Sequence, residues 1–448
     1  MGNEKIFSRY SEIIEKNNNI ENAMFEKFNV KRGLRNADGT GVLVGLTEVG
    51  DVHAYIMDEG EKVPVQGRLR YRGIKINDIV KGFLGENRFG FEETCYLLLF
   101  GELPNEKQLD DFFKLLGSKR ELPDSFTEDM ILKAPSKDIM NKLARSVLAL
   151  YSYDENPDDT SVENTIRQCI ELIARMPTMA AYGYQAKSHY HDGNSLFLHS
   201  SKPELSTAEN ILHMIRPDSS FTRTEVEVLD VLLVLHAEHG GGNNSSFSTR
   251  VVSSSGTDTY SSIAAAIGAL KGPKHGGANI RVMHMIENIK ANIKNWNDEG
   301  EISDYLVKIL NKEANDRSGL IYGIGHAVYT LSDPRAVLLK KKAEELAKET
   351  GNEEEYNLLT TIEKLSPEVF AKVKKSDKVV SANVDFYSGF VYRALGIPED
   401  LYTPLFAISR IAGWSAHLIE EIINGGRIIR PAYKNVIGKV AYKTMKDR

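Results

Sequence analysis

The chain has 448 residues, 42% of them hydrophobic and 26% charged, and a formal net charge of −6 at pH 7. This is an ordinary globular composition, too long for one core, so two domains are expected. The acidic balance, with no long basic block, argues against a general nucleic-acid binder, so local arginines must hold any anionic ligand. No run of 18 apolar residues is present to span a bilayer, and the first residues lack the apolar core of a signal peptide. Cys95 and Cys169 each lie in an apolar helical stretch with no second cysteine or histidine at metal-ligand spacing, so buried thiols are expected. These features predict a soluble, cytoplasmic protein.

In chain order, residues 4–28 read as weakly amphipathic helices broken near Asn17–Asn19. Residues 41–56 alternate and are rich in Val, Thr and Gly, which predicts short strands or a small hairpin. A turn at Tyr71-Arg72-Gly73 leads to a helical series from Asn77, and 91–116 reads as two helices split by Gly101–Pro104. Further helical patterns occupy 137–151, 163–185 and 206–215, the last opened by capping-box spacing at Ser206 and Glu209. The polar segment 188–203 reads as a loop, and 297–301 as a charged turn. Residues 224–239 are apolar on most faces and predict a buried helix. Residues 260–270 carry Ala264, Ala265, Ala266, Gly268 and Ala269, which predicts a helix at a tight helix–helix contact.

The chemistry concentrates in LHAEHGGGN (235–243), LKGPKHGGAN (270–279), GIGHAVYTLSDPRA (323–336), NVDFYSG (383–389) and SRIAGW (409–414), followed by Arg430. Histidine exchanges protons near neutral pH, and arginine grips carboxylates bidentately. Several of each predict acid–base work on a small, multiply charged carboxylate. His236 and His239 have the spacing of one helical face, but a metal would need a third ligand, so no metal is expected. His236 reads as a core histidine, whereas His239 abuts glycines that let backbone approach a ligand. His275 precedes a helix predicted at 278–289, whose N-terminus disfavours imidazolium, so a neutral hydrogen-bond donor is expected. His326 shares a segment with Arg335. Asp385 reads either as a poorly solvated base or as a helix N-cap. Arg335, Arg410 and Arg430, the last two among apolar neighbours, read either as ligand grips or as structural ion pairs.

In order and spacing these motifs resemble the citrate synthase family, from about Gly73 to Pro431. The resemblance implies an all-α fold with a few short N-terminal strands. It implies a large domain (66–276 with 396–448) and a smaller one (277–395) that closes over the site, behind an N-terminal extension (1–65). It implies a homodimer or an assembly of dimers, no cofactor, and condensation of acetyl-CoA with oxaloacetate followed by thioester hydrolysis. By the same resemblance, Asp385 is the base, His275 the donor to the enolate oxygen and His326 the group that protonates the oxaloacetate carbonyl. His239, Arg335, Arg410 and Arg430 grip oxaloacetate, with the residue matching Arg430 coming from the partner subunit. Lys271, Gly272, Pro273 and Lys274 match the segment that receives CoA.

Thr330 departs from the family, where a basic residue four positions after the histidine can meet CoA phosphate. Lys271, Lys274 or the 340–342 lysine run are the remaining candidates, although that run also reads as a solvated helix face. The motifs are shared by 2-methylcitrate synthases, which use propionyl-CoA, because one methylene changes selectivity only about 10–200-fold. A non-catalytic dicarboxylate or CoA sensor is the rival of another class. An intact base and acid set argues against it.

Overall fold

The computed structural model describes residues 2–59, 61–325, 328–375 and 379–448. Residues Met1–Leu46 and Thr47–Arg448 form two separate compact units. The first contains helices α1 (Gly2–Asn17) and α2 (Asn22–Lys27), split at the expected asparagine-rich break.

The second unit is helical apart from one three-stranded antiparallel sheet in the order β1 (Gly50–Asp58), β2 (Glu61–Tyr71), β3 (Ile74–Lys75). The expected strands are therefore displaced. Residues 42–49 carry no strand, and the hairpin reaches Tyr71 through Pro64 and Gly67. A register shift between His53 and Tyr55 sets Tyr55 opposite Pro64, where the strand can do without one ladder donor. Gly67 is required by a close approach, because a Cβ there would overlap the Ser332 carbonyl.

Helices follow at α3 (Ile76–Gly85), α4 (Phe91–Phe100), α5 (Glu106–Ser118), α6 (Ile139–Leu150), α7 (Val162–Tyr190) and α8 (Thr207–Ile215). Ser206 and Glu209 form the predicted capping box. Then come α9 (Arg223–His236), α10 (Asn244–Ser253), α11 (Thr259–Lys271), α12 (Ala278–Asn292) and α13 (Glu299–Leu310). The charged turn at 297–301 is the start of α13, capped by the Asp298 carboxylate. The series closes with α14 (Pro334–Thr350), α15 (Glu353–Lys374), α16 (Val384–Ala394) and α17 (Tyr402–Ile423).

The core is one continuous apolar cluster, and α17 runs through it, buried without interruption from Tyr402 to Ile419. A helix apolar on all faces can be stable only with neighbours all round. Here α4, α7, α9, α10 and α11 supply them. In α11, Ile263, Ala266, Ile267 and Leu270 are buried, while Ala264 and Ala265 are half-buried and Gly268 is exposed with open space beside it. The face of α11 that holds Ala266 packs closely against α6 and α10, the helix–helix contact expected, while Gly268 lies on its exposed side. No helix among the described residues is long and apolar enough to cross a membrane.

Candidate active site

The site gathers around Phe406 and Arg410, one turn apart on α17. Arg410 is fully buried; its Nε donates to the His236 carbonyl at 2.5 Å and its guanidinium lies 4.7 Å from the Phe406 ring centroid. Among the described residues neither Nη1 nor Nη2 has a hydrogen-bond partner. A buried guanidinium with a free fork is costly, and burial brings its pKa down to about 10 although Glu238 opposes the loss of charge. A guanidinium fork of this kind can hold a carboxylate bidentately.

The Phe406 ring also meets two imidazoles, His236 at 4.4 Å and His275 at 6.4 Å between centroids. His236 is the last residue of α9 and is fully buried. Neither of its ring nitrogens has a partner among the described residues, so it is not the satisfied core histidine expected. Burial, then Arg335 and Arg410, keep it neutral. Because α9 ends there, His239 lies beyond the helix, and the shared helical face inferred from spacing does not exist. His239 instead sets its ring 5.5 Å from that of Tyr329, which also lies 5.8 Å from the Arg335 guanidinium.

His275 sits in the turn between α11 and α12. Its Nε2 lies 3.1 Å from both Asn243 Oδ1 and Ser245 Oγ, and Ser245 Oγ also accepts from Trp414 Nε1 at 3.0 Å. Burial, with Arg410 second, lowers its pKa to about 4. The neutral state expected is therefore present, but desolvation is its main cause. Just before it, Lys271, Pro273 and Lys274 are exposed and Gly272 half-buried. The turn is fixed by His275 N–H donating to the Gly272 carbonyl, and Lys271 pairs with Asp138 at 3.2 Å.

Asp385 is the second residue of α16. Asn383 caps that helix by accepting from the Asp385 N–H at 3.0 Å, so the N-cap reading of Asp385 falls away. Burial raises the Asp385 carboxyl to about 6 against the pull of Arg335 and Arg410. Arg335 is buried at the start of α14 and is a structural pair in part. Its Nε and Nη2 bond the Asp333 carboxylate at 3.0 and 2.7 Å, and that partner keeps its pKa above the ordinary value despite burial.

The backbone of 323–325 is laced to the approach to α16. Gly325 N–H donates to the Ser381 carbonyl, Asn383 N–H to the Gly323 carbonyl, and Asn383 Nδ2 to the Gly325 carbonyl at 2.8 Å. His326 itself lies outside the described residues. Arg430 stands outside the buried cluster, exposed in the extended segment after α17. Lys340 and Lys342 are held by Glu363 and Glu227 at 2.5 and 2.6 Å, and Lys341 between them is exposed.

The structure thus joins Arg335, Arg410, His275 and Asp385, and sets His239 against Tyr329 beside Arg335. It adds His236, read from the sequence as a core histidine, and Asn243 and Ser245, which had no role in the sequence reading. All three lie in or next to the motif 235–243, so proximity to a recognised histidine was the available signal. A cavity of about 380 Å³ lies elsewhere, lined by Asp154, Arg167, Glu171, Arg175 and Tyr260 among others, whose charges pair with one another.

Comparison with known proteins supplies the frame for this geometry. A family model described as "Citrate synthase, C-terminal domain" matches residues 38–432. The citrate synthase of Synechocystis sp. is 36% identical over 372 residues, covering 82% of this chain and 84% of that one. That of Haloferax volcanii is 35% identical over 369 residues, covering 82% and 88%. A 2-methylcitrate synthase of Shewanella oneidensis is 33% identical over 364 residues, covering 81% and 87%. Among solved structures, citrate synthase from Pyrobaculum aerophilum superposes with a TM-score of 0.74 at 29% identity, covering 91% of this chain and 94% of that one. A ternary complex of Thermoplasma acidophilum citrate synthase with carboxymethyl coenzyme A and oxaloacetate gives 0.75 at 26% identity, covering 94% and 99%.

Proposed function

This chain belongs to the citrate synthase family, and on that premise we propose that it condenses acetyl-CoA with oxaloacetate and hydrolyses citryl-CoA to citrate and CoA. The observation that carries the reading is the buried Arg410 fork, without a partner among the described residues, in the same charged cluster as an elevated carboxyl, Asp385.

In this reading the oxaloacetate carboxylates lie on Arg410 and Arg335, with His239 as a further contact and Arg430 of the partner subunit as the third cation. Asp385 removes a proton from the acetyl methyl. A carboxylate cannot do so unaided, and His275 stabilises the enolate oxygen in the same transition state. The enolate carbon then bonds to the oxaloacetate carbonyl carbon while His326 protonates the carbonyl oxygen, and water cleaves the thioester. The exposed 271–274 turn receives CoA beside His275. Residues 277–395 act as the smaller domain that closes over 66–276 and 396–448, excluding water while the enolate exists. The working unit is a cytoplasmic homodimer without a cofactor.

Thiol release from acetyl-CoA and propionyl-CoA, each with oxaloacetate, tests the proposal. Preference for acetyl-CoA is expected. Preference for propionyl-CoA would make the chain a 2-methylcitrate synthase, and no release with either would favour the sensor reading.

A further inference from the structure

Behind the substrate grip lies a buried ion network with no reacting partner. Glu238, at the centre of HAEHGGGN, is fully buried. Its Oε1 lies 3.0 Å from His417 Nε2 and also accepts the Gly240 N–H. His417, fully buried on α17, turns its Nδ1 to Arg250 Nη2 at 2.7 Å. Arginine can only donate, so Nδ1 accepts and Nε2 carries the hydrogen given to Glu238. Arg250 on α10 is held in turn by Glu420 and by Glu421 at 3.0 Å, and reaches Thr47 Oγ1 at 3.3 Å.

The space for this carboxylate is cut by glycines far apart in sequence. A Cβ at Gly50 would come within 2.9 Å of the Glu238 side chain, and one at Gly413 would overlap Oε2. An ionised carboxylate in such a place costs several kcal/mol unless it is paired, and replacing the pair with apolar groups is often neutral or stabilising for the fold. Stability alone is therefore a poor account of it.

The turn that Glu238 anchors delivers the grip. Its backbone offers the His236 carbonyl to Arg410 Nε, it carries His239, and it ends at Asn243 against His275. Tyr71 ties the same turn from β2, its hydroxyl 2.9 Å from the Val234 carbonyl and 3.2 Å from that of Glu238.

We propose that the Glu238–His417 pair is a positioning element for the oxaloacetate site: it fixes the 236–243 turn and sets a counter-charge behind Arg410, so that the η nitrogens stay free and aimed at the substrate. Neither residue touches the reacting atoms. The proposal rests on the functional reading in taking Arg410 as the carboxylate grip.

Counter-charge and positioning make opposite predictions, which gives the test. If Glu238 only balanced charge, weakening its hold would leave dianion binding unchanged or tighter. If it positions the turn, binding loosens. His417→Leu removes the hydrogen given to Glu238, and His417→Gln restores a donor at similar reach. In His417→Leu the KM for oxaloacetate should rise about tenfold or more, as expected for a displaced binding group, with the KM for acetyl-CoA within about twofold. His417→Gln should recover most of that loss. Glu238→Gln, which keeps side-chain shape, should weaken calorimetric binding of oxaloacetate in the same direction and serves if the leucine variant does not fold. An unchanged or lowered oxaloacetate KM, an equal rise for both substrates, or no recovery with glutamine would overturn the proposal. Wild-type turnover measured alongside separates the two claims, since its absence removes the functional reading and unaffected variants remove only the positioning.

Discussion

In the proposed reaction Asp385 is the base, yet its half-buried carboxyl is desolvated, and these two demands conflict in a measurable way. Its carboxyl titrates at about 6 in the folded protein, because burial outweighs Arg335, Arg410 and a place in the first turn of α16. An unfolded aspartate titrates near about 3.9. Folding therefore takes up a proton between these values, so the ionised side chain opposes folding above pH 6 and costs little below pH 4. Asp385→Asn should abolish turnover. It should also raise the thermal unfolding midpoint at pH 8, by an amount corresponding to about 1–3 kcal/mol, and leave it almost unchanged at pH 4. A midpoint that rises equally at both pH values would show that the gain is not electrostatic. In the wild type, kcat/KM should fall below pH 6 as the base is protonated, before His275, at about 4, takes up its own proton.

At the scale of elements, the site depends on how closely α17 approaches the turn after α9. The contact is at Gly413, where a Cβ would overlap both Glu238 Oε2 and the Ala237 carbonyl oxygen. Gly413→Ala must push α17 away from that turn, and its strain should cost about 1–3 kcal/mol while lengthening the bond between Arg410 and the His236 carbonyl. A lowered unfolding midpoint and a raised oxaloacetate KM are expected together. Gly82→Ala, exposed in α3 with open space around it, should instead stabilise by about 0.5–1 kcal/mol. The same elements show what the sequence could reveal. Helices with caps and apolar periodicity were legible, as Ser206 and Glu209 demonstrate. β2 was not, because Pro64, Gly67 and its charged residues are tolerated only through pairing with β1 and the approach of Ser332. Likewise the motif histidines and arginines announced a site, whereas Glu238, a single acid between two histidines, carried no pattern of its own. Its partner His417 lies 179 residues away and leaves no local pattern.

For the molecule as a whole, the open question is the third arginine. Arg335 and Arg410 are buried within the chain, while Arg430 is exposed in the extended segment beyond α17. That segment is tied to its own chain one residue earlier, where Ile429 N–H donates to Ser254 Oγ at 3.0 Å at the end of α10. If Arg430 completes the site of a second copy, catalysis belongs to the dimer, and two inactive chains should restore each other. Arg430→Ala lacks the donated cation and Asp385→Asn lacks the base, so each alone should be inactive or nearly so. Refolded together in equal amounts, half the dimers combine the two chains. Each mixed dimer holds one site with Asp385 from one chain and Arg430 from the other, so about a quarter of wild-type activity should return. An arginine acting within its own chain would leave every site in the mixture defective, and no activity would appear.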